Sequence, residues 1–114
     1  MGLDMYFYRG HTEENHQIFY FRKHSDLHGF LMDIWLSMNP GKSSDDFNCE
    51  ELEITKEILD SIENECKNWI HKKYSGFFWG SSYDTDWERT EDELIPLLKE
   101  ELKNGNKVYY FPWW

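Results

Sequence analysis

Leu27, Phe30, Leu31, Ile34, Trp35 and Met38 recur at i, i+3, i+4, i+7, i+8 and i+11, and this stripe constrains the fold more than any other feature. It marks one face of an amphipathic helix, which another element must cover. Ser25 is placed to cap that helix, Asp26 complements its positive end, and Asn39-Pro40-Gly41 stops it. The chain before it has a different period. Leu3, Met5 and Phe7 alternate with Asp4, Tyr6 and Tyr8, and residues 18–22 are again aromatic, so residues 3–22 predict a hairpin around a polar loop.

Beyond the first helix, residues 41–48 form a polar loop suited to mobility, and residues 51–54 predict a short strand. Thr55 caps a second helix, with Ile54 and Leu59 as its hydrophobic staple. Its apolar face is Ile58, Ile62, Cys66, Trp69 and Ile70, and it ends near Lys72 and Lys73. Residues 75–87 are aromatic and glycine-punctuated, which predicts a short strand or an ordered loop. Thr90 and Glu93 have capping-box spacing for a third helix, with Pro96 kinking it or standing near its true start. Asn104-Gly105 ends that helix and residues 107–111 form a last strand. The expectation is an α+β fold: a small, mainly antiparallel sheet, made of the N-terminal hairpin plus the C-terminal strand, packed with three helices. A length of 114 residues fits one compact domain over residues 1–114.

Charge limits the partners. The chain carries a formal net charge of −10, and residues 43–114 hold seventeen of its 22 acids. That field repels phosphate backbones and attracts basic surfaces, so no direct nucleic-acid binding is expected. The acids equally serve to keep an aromatic-rich chain soluble. Two cysteines, Cys49 and Cys66, make no disulfide framework, and the N-terminus lacks a secretory pattern. No apolar run is long enough for a bilayer, so the protein is expected to be cytoplasmic and without membrane contact.

Three sets of residues are candidates for function. Arg22 and Lys23 stand where a strand meets a helix start and suit an anion; alternatively Arg22 pairs across the hairpin with Asp4. With His28 and Tyr83 they form a candidate ligand site. His24 and His28 are four residues apart, but with Ser25 as the cap His24 leaves the helical face and no metal is expected. Asp84, Asp86, Glu88, Glu91, Asp92 and Glu93 place six acids within ten residues, beside Trp87. They suit a solvated face or a mimic of phosphates, with Trp79 or Trp87 as an apolar anchor. No nucleophile or Gly-rich loop accompanies them, and no cofactor is implied.

Several segments together resemble a family of small phage and prophage proteins. They are Gly2-Leu3-Asp4-Met5-Tyr6, then Phe21-Arg22-Lys23 leading to Leu27-His28, then Ser75-Gly76-Phe77-Phe78-Trp79-Gly80-Ser81 with Tyr83 and Asp84, and an aromatic end at Trp114. The family usually has Tyr-Trp-Arg-Lys and Gly-Phe-Phe-Phe-Gly where this chain has Phe21 and Trp79. The resemblance implies a viral origin and a small α+β domain, and it implies no reaction. The expected function is therefore an interaction protein that binds and inhibits, or redirects, a host protein complex with a basic surface, a defence nuclease such as a CRISPR effector being the first class to test. The partner-binding residues are Trp79, Asp84, Asp86, Trp87, Glu88, Glu91 and Asp92. The rival is a small enzyme or ligand-binding protein with a pocket around Arg22, His28 and Tyr83.

Overall fold

A four-stranded antiparallel sheet in the order β2-β1-β4-β3 organises the computed structural model, which describes residues 2–68 and 80–114. β1 (Asp4–Arg9) and β2 (Gln17–Arg22) form the expected hairpin, with Asp4 opposite Arg22 and Tyr6 opposite Tyr20. β4 (Val108–Trp113) lies on the other side of β1, and β3 (Leu52–Glu53) is a two-residue edge. The alternation in β1 divides the faces as its sequence requires: Leu3, Met5 and Phe7 are fully buried, whereas Asp4, Tyr6 and Tyr8 are half-buried on the outer face.

α1 (Ser25–Met38), α2 (Lys56–Asn68) and a long helical segment from Asp84 to Lys103 complete the α+β fold. Leu27, Leu31, Ile54, Ile62, Leu94 and Leu98 are fully buried with the inner sheet residues Phe7, Phe21 and Tyr110. Thr55 caps α2 as its sequence predicts, its Oγ1 accepting the Ile58 N–H at 3.3 Å, and the staple residues Ile54 and Leu59 are both buried. Trp69, Ile70, Lys72, Lys73 and Trp79, to which the sequence assigns roles, lie outside the described residues.

Four expectations are corrected. Ser25 is not the cap of α1 but its first residue; His24 occupies the cap position without a side-chain bond to the helix. The Asp26 N–H is instead met by Ser82 Oγ at 2.9 Å, a cap supplied from a distant segment that no local pattern encodes. The buried face of α1 is also turned. Ser25, Asp26, His28 and Gly29 are buried with Leu27, Ile34 is only half-buried, and Met38 is 61% exposed. Several elements enclose the first turns of α1, and its last turn runs into solvent.

The third helix starts seven residues earlier than its Thr90–Glu93 spacing implies. α3 (Asp84–Arg89) opens where the Asp86 carboxylate accepts the Tyr83 N–H at 2.8 Å and the Asp86 N–H donates to the Tyr83 carbonyl at 2.9 Å. Thr90 is buried mid-helix, and its hydroxyl donates to the Asp86 carbonyl at 2.7 Å. A π turn over Thr90–Leu94 joins α3 to α4 (Ile95–Lys103), the Ile95 N–H reaching back to the Thr90 carbonyl. This wider turn resolves the Pro96 conflict: it shifts the carbonyls that the pyrrolidine ring would strike in regular α geometry. Finally, residues 41–48 are pinned. Ser43 and Asp46 cap a short turn that delivers Phe47, fully buried, into a stack on Trp35 at 4.9 Å between ring centres.

Candidate functional site

Both histidines of the first helical turn belong to the core. Ser82 Oγ accepts the Asp26 amide and lies 2.7 Å from His24 Nδ1; His24 Nε2–H donates to Thr90 Oγ1 at 3.1 Å. Thr90 has already given its proton to the Asp86 carbonyl, so towards His24 it accepts. These bonds tie the start of α1 to α3. His28 is fully buried against Phe47 and Trp114, and its Nδ1 is hydrogen-bonded to the Tyr110 hydroxyl at 2.7 Å. Burial pushes its pKa down to about 3, because an imidazolium there would lose its water.

The ligand site expected around Arg22, Lys23, His28 and Tyr83 is therefore not assembled. His28 is sealed in the core, Tyr83 is 72% exposed at the start of α3, and none of the clefts described below is lined by either. Arg22 takes its alternative role, its guanidinium 3.6 Å from Asp4 across the hairpin. Lys23 has φ of 58° and lays its stem across Gly2 and Gly80, where a Cβ would come within 2.7 and 2.8 Å of it. The anion-binding amide expected beside them is already occupied by Ser82.

Trp87 is 5% exposed and packs edge-on against His24 at 4.6 Å, so it stabilises the core and is not a surface anchor. The neighbouring acids divide. Asp86 spends its carboxylate on the Tyr83 N–H, burial raising its pKa against the lowering effect of that bond. Glu93 pairs with Arg89 at 3.6 Å. Asp84, Glu88, Glu91 and Asp92 are all exposed and form no ion pair among the described residues. Arg89 closes the other side of this segment: its guanidinium lies 4.8 Å over Phe21, and Nη2 donates to the Tyr20 carbonyl at 3.2 Å, covering the β2 edge.

A second concentration of carboxylates surrounds β3. Two adjoining clefts of about 390 and about 460 Å³ share Glu50 and Glu51; Asp46 and Glu53 line the first, Glu13 and His11 the second. His11 Nδ1 is 2.8 Å from Glu51, and its ring stacks on Tyr109 at 4.4 Å. The bond to Glu51 raises the His11 pKa above its ordinary value. Burial raises the Glu51 carboxyl, but bonds from Thr12 N–H and His11 outweigh this and hold it low. Cys49 borders the second cleft, yet burial, then Glu50, push its thiol up, so it is protonated at neutral pH and unsuited to nucleophilic chemistry.

The outer face of the sheet is the feature that sequence reasoning missed. Asp4, Tyr6 and Tyr8 on β1 oppose Trp113, Phe111 and Tyr109 on β4, and Tyr20 joins them from β2. Tyr6 lies 5.3 Å from Tyr20 and Tyr8 lies 6.3 Å from Phe111. Trp113, 56% exposed, ends this row. The signal was present: the period-2 alternation that buries Leu3, Met5 and Phe7 sends Asp4, Tyr6 and Tyr8 to the opposite face.

No family model, curated protein or solved structure matches the chain. Among the described residues, no helix is long and apolar enough to cross a membrane.

Proposed function

We propose that the chain is an interaction protein that binds a host protein complex through that partner's basic surface, and inhibits or redirects it. The observation that carries this reading is the row Asp84, Glu88, Glu91 and Asp92: four exposed carboxylates at i, i+4, i+7 and i+8 on one helical segment, none neutralised by a described cation. Charges arranged in this way accelerate encounter with an opposite surface and discriminate against anionic partners. The carboxylate-lined clefts at β3 extend the same field, and the formal net charge of −10 disfavours nucleic acid as the direct ligand. The resemblance to phage and prophage proteins makes a defence nuclease complex the partner class to test first. Trp79 stays in the proposal as an anchor; Trp87, being core, leaves it, and Asp86 contributes to folding more than to contact.

The experiment is affinity capture from host lysate, at low and at high salt, with wild-type protein and the variant Asp84→Asn/Glu88→Gln/Glu91→Gln/Asp92→Asn. The reading expects a defined complex held by the wild type and lost by the variant and by salt. A complex retained equally by both proteins, at both salt concentrations, would leave these acids a solubilising role only.

A further inference from the structure

Gly2, Asp4, Trp113 and Trp114 line a cavity of about 320 Å³ at the end of the aromatic sheet face. Two indoles line it, and among the described lining residues Asp4 supplies the charged side chain. Register fixes the arrangement: Asp4 on β1 stands directly opposite Trp113 on β4 and opposite Arg22 on β2. Asp4 Oδ1 is engaged on the β2 side, where the Tyr20 hydroxyl donates to it and Arg22 approaches to 3.6 Å. Oδ2 accepts no hydrogen bond from any described residue, and the Asp4 side chain remains 25% exposed. Lys23 packs its stem against Gly2 without lining the cavity. Trp114 is held in place by reciprocal bonds with Asn48: its N–H donates to Asn48 Oδ1 at 3.0 Å and its backbone oxygen accepts from Nδ2 at 2.7 Å.

An indole face and a carboxylate oxygen with spare acceptor capacity suit a planar cation, which stacks on the ring while its N–H groups bond the carboxylate. A neutral apolar group would leave Asp4 Oδ2 desolvated without a donor, and an anion would meet its charge. The overall negative field favours the same sign of ligand. We infer that this cavity receives an arginine side chain of the partner, the guanidinium lying between Trp113 and Asp4. The inference rests on the reading of the chain as a binder of basic protein surfaces, and it supplies that reading with the exposed aromatic anchor that Trp87 does not provide.

The test uses a blocked Gly/Ser peptide carrying one arginine, and the same peptide with citrulline, which keeps the shape and removes the charge. Both are titrated into the intact protein while the six indole N–H resonances are followed by NMR. The arginine peptide is expected to shift the Trp113 and Trp114 signals saturably. Citrulline, or Asp4→Asn, is expected to weaken binding about tenfold through loss of the charge-assisted bond. Asn still accepts the Tyr20 hydroxyl, so the fold should persist. Trp113→Ala is expected to abolish the response. Unmoved Trp113 and Trp114 signals, or equal binding of citrulline, would overturn the assignment. If the pocket fails this titration while lysate capture still yields a salt-sensitive complex, only the pocket is wrong; the reverse result sinks the interaction reading and keeps the pocket.

Discussion

His28 shows how one residue can look like chemistry in sequence and be structure in the fold. Its imidazole is neutral, buried and bonded by the Tyr110 hydroxyl, and its pKa falls from 6.5 to about 3. The unfolded chain binds a proton there that the folded chain refuses. The stability contributed by neutral His28 is therefore complete above pH 6.5 and is lost as the pH falls towards 3. His11 has the opposite sign: its raised pKa gives a contribution present below 6.5 and lost as the pH rises through the folded value. Carboxyls held low by partners, such as Glu63 beside Lys99 and Glu101 beside Arg9, contribute above 4.5 and fail only below it. Between pH 4.5 and 6.5 His28 should therefore add its own slope to the stability curve. Urea midpoints across this window should fall more steeply for the wild type than for His28→Gln; parallel slopes would show that His28 does not titrate as a core group. Ser82 offers a second test at this scale. Ser82→Ala should cost about 1–2 kcal/mol in urea unfolding, since it uncaps α1 and removes a hydrogen-bond partner of His24; an unchanged midpoint would show that neither bond contributes.

The elements were legible where neighbouring residues in sequence determine them. The β1 alternation, the Thr55 cap with its staple, and the Asn104-Gly105 stop are local patterns, and the structure reproduces each. What failed depended on distant segments. Ser82 caps α1 from 56 residues away, and a π turn lets a helix pass Pro96 where local rules end it. Phe47 hid a buried anchor inside a stretch polar enough to pass for a loose loop. The same limit explains the candidate sites: His28, Trp87 and Arg22 each had a core or pairing role open to them, and only tertiary contacts decide such cases. For the core, Leu31→Ala and Ile62→Ala should each cost about 2–5 kcal/mol, since both side chains are fully buried. Ile34→Ala should cost clearly less, because its site is half open. Equal losses at all three positions would mean that α1 is rotated from the orientation described.

Among the described residues, the helical acids and the aromatic sheet face lie on different elements, and Phe111 and Tyr109 adjoin the β3 clefts. The helical row from Asp84 to Asp92 and the β3 clefts carry carboxylates, while the outer sheet face carries rings and ends at Trp113. Such a division suits long-range attraction by one surface and short-range retention by the other. The two should separate kinetically. Neutralising Asp84, Glu88, Glu91 and Asp92 together should slow association, and Trp113→Ala should chiefly speed dissociation. The Asp86 cap and the Arg89–Glu93 pair are spared, so folding should be unaffected. The most direct measurement is the association rate of the captured host complex by surface plasmon resonance, for wild type and the fourfold variant, over a salt series. The account predicts a wild-type rate that falls steeply with salt and a variant rate that is slower at low salt and nearly independent of it. Identical rates with no salt dependence would contradict it.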